Sequence, residues 1–203
     1  MARILILFAH PALERSRVHR KLIDRVPRRG GLTLHDLYET YPDFDVDVRR
    51  EQELLLDHDL ILMQHPMYWY STPALLKQWQ DLVLEHGWAY GSAGTALRGK
   101  GLANVVSTGG TAAAYTRDGF NRHTIRELLA PIEQTARLCG MDYLPPYLVQ
   151  GTHRMSEADI DRAARAYGEA LDALADGRVE LSAWRSASSL DALLASSPGD
   201  GGL

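Results

Sequence analysis

Short apolar runs alternate along this chain with segments whose apolar residues recur every three or four positions. The runs have the length of β-strands and lie between turn residues, whereas the spaced segments have the helical period. Alternation of this kind favours a parallel β-sheet covered by helices on both faces. The predicted strands are 3–8, 32–37, 60–64, 101–107 and a fifth over 142–150 that Pro145 and Pro146 interrupt; the predicted helices are 16–26, 47–57, 74–85, 124–138 with a kink at Pro131, and a last one capped by Ser156 that extends to Leu174.

The natural topology for these elements is a doubly wound α/β sheet with strand order 2-1-3-4-5. Its switch point lies between the first and third strands, and ligands of such sheets bind outside the carboxyl ends of the strands. We therefore expect the loops that follow the first, third and fourth strands to converge on one ligand. Residues 1–180 form the predicted domain, and 181–203 a flexible tail rich in Ser, Ala and Gly with one short helix near Leu190–Leu194.

The composition and charge of the chain argue against several classes of function. A formal charge of −4 and a pI near 6.0 argue against a dedicated nucleic-acid binder. No run of 18 apolar residues is present, so no membrane span is predicted, and the cytoplasm is the default compartment. The single Cys139 excludes an intramolecular disulfide and is interpreted as a small buried side chain, and no metal site is expected because the histidines lack ligand spacing. The acidic segment 47–59 is interpreted as a solvated helix face.

The loop after the first strand is a candidate phosphate site. It leads into a helix that begins near Ser16, and helix N-termini bind phosphate through free N–H groups and the helix dipole. Ser16 can add a hydroxyl, and His10 or Arg17 a charge; the alternative is that Ser16 only caps the helix. The absence of G-x-G-x-x-G and of G-K-[ST] argues against a classical NAD(P)-binding Rossmann site and against an ATPase.

The loop after the third strand carries Tyr68, Trp69 and Tyr70 between two prolines. The prolines hold this loop extended, and exposed aromatic rings favour a planar partner that covers them. A planar cofactor and a subunit interface both fit this loop, and the two do not exclude each other.

The loop after the fourth strand contains paired glycines, which let a backbone approach a ligand edge closely. Ser107, Thr108, Gly109 and Gly110 begin it, and Tyr115 follows five residues later. An ordinary glycine turn is the alternative for this loop alone. Together the three loops present a phosphate end, an aromatic wall and a glycine edge, which is the layout expected for FMN on a flavodoxin-like sheet.

Five motifs in this order also resemble the flavodoxin-like NAD(P)H:quinone oxidoreductases, especially the KefF and KefG ancillary subunits of bacterial glutathione-gated potassium-efflux systems. The similarity covers roughly Arg3 to Leu174. The motifs are Phe8-Ala9-His10-Pro11, Leu37-Tyr38 with Tyr41-Pro42-Asp43-Phe44, Gln64-His65-Pro66-Met67-Tyr68-Trp69-Tyr70, His86-Gly87-Trp88-Ala89-Tyr90-Gly91 and Ser107-Thr108-Gly109-Gly110.

The resemblance implies a site for each part of FMN. Phosphate and ribityl contacts fall to His10, Ser16, Arg17, Val18 and His19, the last through its backbone. The isoalloxazine would lie against Met67, Tyr68, Trp69 and Tyr70, with Ser107, Thr108, Gly109 and Gly110 at its other edge. Tyr115 would aid hydride transfer, while Asn121 stands where the related quinone reductases have a histidine, with His123 two residues on.

The resemblance also implies a chemistry and partners. We expect a ping-pong reaction in which NAD(P)H reduces the flavin by hydride transfer and a quinone then takes two electrons at the same place. A homodimer is expected, with the loop 87–99 completing the site across the interface. The alternatives are a non-catalytic regulatory subunit of a potassium-efflux antiporter, which would lie at the inner face of the cell membrane, and an FMN-dependent azoreductase.

Overall fold

The computed structural model describes residues 2–179 and 181–196, and in these a central parallel sheet is enclosed by helices. Its elements are β1 (Ile4–Phe8), α1 (Arg17–Asp24), β2 (Leu32–Asp36), α2 (Leu37–Thr40), α3 (Val48–Leu56), β3 (Leu60–Pro66), α4 (Ala74–Val83), β4 (Gly101–Thr108), α5 (Ile125–Leu128), α6 (Ala130–Leu138), β5 (Asp142–Tyr143), β6 (Tyr147–Gln150), α7 (Glu157–Ala175), α8 (Leu181–Ser186) and α9 (Leu190–Ser196).

The strand order β2-β1-β3-β4-β5 confirms the predicted topology. The interrupted fifth strand is also present: β5 pairs with the start of β4, and β6 pairs with its end. Pro145 and Pro146 lie between the two short strands, and neither has an N–H to give to the ladder. The two short strands together pair with both ends of β4, and β6 pairs up to its last residue, Thr108, where the predicted site lies.

A hydrophobic core lies on each face of the sheet. One centres on Trp79 of α4 and includes residues of α3 and α6; the other centres on Tyr167 of α7 and includes residues of α1. β1 is buried along its whole length because it is central and both of its faces are covered. Cys139 is buried, as predicted, and burial raises the pKa of its thiol.

Two helices differ from the prediction. The helix predicted over 124–138 is two helices, α5 and α6, which meet at Leu129, close to Pro131 in the first turn of α6. The interpretation of 47–59 as a solvated face is wrong for Glu51, which is 0% exposed. The carboxylate of Glu51 accepts hydrogen bonds from His35, Tyr41 and Trp79, and these three donors compensate for its burial.

Within the segment predicted as a flexible tail, residues 181–196 form α8 and α9, which contact the rest of the domain. Trp184 of α8 is fully buried, and its indole N–H donates to Pro145 O at 2.9 Å. The predicted short helix near Leu190 is present as α9, whose Asp191 carboxylate accepts the N–H of Leu148 on β6 at 3.1 Å. The composition of the segment, rich in Ser, Ala and Gly, did not indicate this packing, because only one tryptophan and a few leucines make the contacts. Residues 197–203 of the predicted tail lie outside the described residues. None of the helices within residues 2–179 and 181–196 combines the length and the hydropathy that a membrane span requires.

Candidate functional site

The three predicted loops meet at the carboxyl edge of the sheet around one cavity of about 570 Å³. This volume lies within the range of small-molecule sites. A fourth loop, which joins β6 to α7, closes one side of the cavity. The lining residues are His10, Ala12, Arg15, Ser16, Arg17, Val18, Pro66, Met67, Tyr68, Ser107, Gly109, Thr152 and His153.

The N-terminus of α1 forms the polar end of the cavity. Ser16 is the N-cap, and its hydroxyl oxygen accepts the N–H of His19 at 3.0 Å. The N–H of His19, for which a phosphate contact is predicted, is thus bonded within the chain in this structure. The N–H groups of the first helical residues, Arg17 and Val18, have no acceptor within a helix and are suited to an anion.

Of the two side chains that could each add a charge at this end, His10 is neutral and Arg17 is paired with a carboxylate. His10 is buried, and burial lowers the pKa of its imidazole despite the opposing effect of Glu14, so it is mainly neutral at pH 7. Its Nδ1 accepts the N–H of Ala12 at 3.1 Å. The Arg17 guanidinium turns towards α7 and donates to Glu157 at 2.7 and 3.0 Å. Its charge is therefore balanced by a carboxylate outside the cavity.

Arg15 lines the cavity and is not among the residues predicted from the sequence. Its side chain is highly exposed, and its one ion pair among the described residues is to Glu14, also exposed, at 3.7 Å. Exposed pairs of this kind contribute little, so the guanidinium can turn to an anion in the cavity. The available signal was a basic residue directly before a helix N-cap.

The aromatic loop forms the apolar wall. Met67 is fixed by its N–H bond to Ser107 O at 2.8 Å, and Tyr68 packs edge-on against His10 with ring centroids 5.9 Å apart. Trp69 and Tyr70 have φ values of +48° and +64°, so a tight turn holds two non-glycine residues in the left-handed region. Met67 and Tyr68 line the cavity, whereas Trp69 and Tyr70 project beyond it into solvent.

The glycine loop and the β6–α7 loop are joined by backbone hydrogen bonds. Gly151 N–H donates to Gly110 O at 2.8 Å, and Thr152 N–H donates to Thr108 O at 3.0 Å. These bonds place His153 against Gly109 so closely that a Cβ on this glycine would lie 2.2 Å from the imidazole Nε2. His153 was also missed, although Gly151-Thr152-His153 directly follows a strand and the predicted topology places that exit beside the fourth strand.

Tyr115 lies at the edge of the same loop. Its ring is close to Gly110: a Cβ built on this glycine would lie 3.1 Å from Tyr115 Cε2. Burial raises the pKa of the Tyr115 phenol, with a smaller contribution from Tyr70, so the hydroxyl keeps its proton at neutral pH. Asn121 Oδ1 accepts a hydrogen bond from the Tyr70 hydroxyl at 3.2 Å, which links the glycine loop to the aromatic loop.

His19 lies behind Ser107 and is fully buried. Its Nε2 is 2.8 Å from Ser107 Oγ, and burial, with smaller effects of His10 and His65, holds the imidazole pKa well below its usual range. The ring is neutral at pH 7. His19 thus reaches the cavity through Ser107 by its side chain, whereas the family resemblance implies a contact through its backbone.

The fold and site define an α/β protein with a cavity at the carboxyl edge of its sheet, between a helix N-terminus, an aromatic wall and a glycine loop. The chain belongs to the family described as having the flavodoxin-like fold, whose model matches residues 2–171.

Named relatives support this assignment. The uncharacterized NAD(P)H oxidoreductase YrkL of Bacillus subtilis is 45% identical over 171 residues, which are 84% of this chain and 98% of that protein. The glutathione-regulated potassium-efflux system ancillary protein KefG of Enterobacter is 43% identical over 84% of this chain and 93% of its own. The crystal structure of general stress protein 14 from Treponema denticola, in complex with FMN, has a TM-score of 0.80 and 43% identity, covering 85% of this chain and 99% of that one.

Proposed function

We propose that this protein is an FMN-dependent NAD(P)H:quinone oxidoreductase. The observation that carries the proposal is the single cavity in which the α1 N-terminus, the aromatic loop and the glycine loop meet. The FMN complex of the Treponema protein and the NAD(P)H oxidoreductase name of YrkL support it, because both proteins are similar to this chain over most of its length.

The residues present fit FMN. The cavity has a polar end with helix N–H groups and an exposed Arg15, and an apolar wall with Met67 and Tyr68. Gly109 lines the cavity without a side chain, and His153 occupies the space that a Cβ on this residue would fill. A backbone without a side chain can offer its N–H groups directly to the edge of a heterocycle.

When bound, FMN supplies the two-electron chemistry between NAD(P)H and a quinone. The chain's own residues bind and orient it. The N–H groups of Arg17 and Val18 would hold the phosphate, and Tyr68 would contact the ring system. The N–H groups of Gly109 and Gly110 and the protonated Tyr115 hydroxyl are the donors available to stabilise negative charge, and one pre-organised donor of this type contributes about 3 kcal/mol.

A direct experiment tests this function. The purified protein is expected to be yellow, to lose the flavin absorbance with NADH or NADPH, and to recover it when a quinone is added. The Tyr115→Phe variant should keep bound FMN but turn over more slowly. A colourless protein that takes up no added FMN would exclude the proposal, and an azo dye in the acceptor panel decides between quinone reductase and azoreductase.

A second function is favoured by the KefG relatives, which are ancillary proteins of a potassium-efflux system. We propose that this protein also binds such an antiporter at the inner face of the membrane. Co-purification with the antiporter and loss of efflux without the protein would support this role. If Tyr115→Phe abolishes turnover but leaves efflux intact, the regulatory role is separate from catalysis.

We also propose that the protein is a homodimer. Trp69 and Phe120 are 94% and 89% exposed, and the Tyr70–Asn121 hydrogen bond links the two loops that carry them. Exposed aromatic rings beside a site are typical of an interface. The expected role of loop 87–99 is less favoured, because Trp88 and Tyr90 pack against this chain's own core. Analytical ultracentrifugation of wild type and Trp69→Ser tests the dimer.

A further inference from the structure

A chain of buried hydrogen bonds leads from α7 to the cavity. The Tyr167 hydroxyl donates to Gln64 Oε1 at 2.7 Å, and Gln64 Nε2 is 3.4 Å from His19 Nδ1. His19 Nε2 is in turn 2.8 Å from Ser107 Oγ, and Ser107 lines the cavity. Tyr167, Gln64 and His19 are all buried, so water does not compete for these bonds.

The donor-to-acceptor direction along these hydrogen bonds is set at Tyr167. Among the described residues the one hydrogen-bond partner of the Tyr167 hydroxyl is Gln64, and a buried hydroxyl proton left unpaired carries its full desolvation cost. The Gln64 side chain must therefore present its oxygen to Tyr167. Its NH₂ group then faces His19, and an NH₂ group can only donate.

The same constraint determines which atoms donate at His19 and at Ser107. A neutral imidazole has one donor and one acceptor nitrogen, so an Nδ1 that accepts from Gln64 leaves the proton on Nε2. Nε2–H donates to Ser107 Oγ, and the Ser107 proton is then free to point elsewhere. The remaining direction is the cavity.

We propose that Tyr167 is a positioning residue that, through Gln64 and His19, makes the Ser107 hydroxyl a hydrogen-bond donor into the cavity. The identity of the acceptor rests on the proposed function: it is an oxygen or nitrogen of bound FMN. Tyr167 lies on α7, away from the cavity lining, and Gln64 belongs to none of the loops predicted to bind the cofactor.

The first test needs no ligand. Nitrogen-15 NMR of the imidazoles, with His19 assigned through a His19→Gln variant, reports which ring nitrogen carries the proton. Wild type is expected to show the Nε2–H tautomer, and Tyr167→Phe a mixture, because Gln64 is then free to turn its amide. An Nδ1–H tautomer in wild type, or no change in Tyr167→Phe, would overturn the proposal.

The second test measures FMN dissociation constants in a double-mutant cycle. Ser107→Ala is expected to weaken binding about tenfold and Tyr167→Phe about fivefold, as befits the loss of a hydrogen bond or of its orientation. In the Ser107→Ala background, Tyr167→Phe should have no further effect. Equal effects in both backgrounds would show that Tyr167 acts only through stability.

Tyr147→Phe is the matched control. Tyr147 is buried beside Tyr167, with ring centroids 5.3 Å apart, but its hydroxyl is not part of the chain to Ser107. It should leave FMN affinity and the His19 tautomer unchanged, and a loss equal to that of Tyr167→Phe would contradict the proposal. If wild type binds no FMN, the proposed function fails, while the NMR experiment still decides the direction of the hydrogen bonds.

Discussion

Replacement of Gly109 by alanine tests whether the cavity depends on the close contact between the glycine loop and His153. The new Cβ would lie 2.2 Å from His153 Nε2 and 2.4 Å from Cδ2. Ordinary contacts begin near 3.5 Å, so the imidazole must retreat by roughly 1 Å or more. His153 is exposed, so it can move at little cost, and the unfolding free energy should change by less than about 1 kcal/mol. FMN affinity should fall about tenfold, or about 1.4 kcal/mol, because the displaced ring changes the wall of the cavity.

Fluorescence titration of FMN into wild type, Gly109→Ala, His153→Ala and the double variant measures this effect. If the clash is the cause, Gly109→Ala should cost about tenfold in wild type and less than about twofold once His153 is alanine. Gly30→Ala is the control, because a Cβ there has no neighbour within 4 Å. An equal tenfold loss with and without the imidazole would refute the reasoning and assign the loss to direct obstruction by the alanine methyl.

Three further perturbations address charge and stability. Glu51→Gln should lower the unfolding free energy by about 3 kcal/mol at pH 7, measured by urea denaturation, because charged hydrogen bonds are lost from a buried site. Burial by itself raises the pKa of Glu51, but its hydrogen bonds lower this pKa overall. The unfolding free energy that wild type gains over Glu51→Gln should therefore shrink as the pH falls through the folded-state pKa of Glu51, and not as the pH rises. Arg15→Ala should weaken FMN binding about fivefold and Arg17→Ala less, because the Arg17 guanidinium already donates to Glu157 and to Met155 O, whereas Arg15 has only a 3.7 Å contact to Glu14 among the described residues; the reverse order in titrations would contradict this assignment. Asp191→Ala should lower the melting temperature while Asp191→Asn, which keeps an acceptor for the Leu148 N–H, should lower it less; equal losses would show that this acceptor is unimportant.

The sequence predicts those parts of the molecule that depend on local pattern. The strands are apolar runs with the right length, so their order and the convergence of their exits follow from general rules of α/β sheets. The prolines at 145 and 146 predict the interruption of the fifth strand for an equally local reason, since they lack a ladder donor.

Partnerships between distant residues are not predictable in this way. Glu51 lies in a segment whose charges indicate solvent, yet its donors His35 and Trp79 come from β2 and α4. Arg17 has the charge and position of a phosphate ligand, yet Glu157, 140 residues away, takes its guanidinium. In both cases the residue type indicates what a side chain can do, while its partner, fixed by the tertiary packing, decides what it does.

Helices α8 and α9 show how contacts between distant residues can affect the site. They follow the region that matches the family, which ends at residue 171, and they bond to the edge strand through Asp191 and to the preceding proline pair through Trp184. That strand, β6, leads directly into the loop that places His153 against Gly109. An unprotected edge strand frays and exposes unpaired N–H groups. The helices therefore stabilise the wall of the cavity as well as the sheet, although none of their residues lies in its lining.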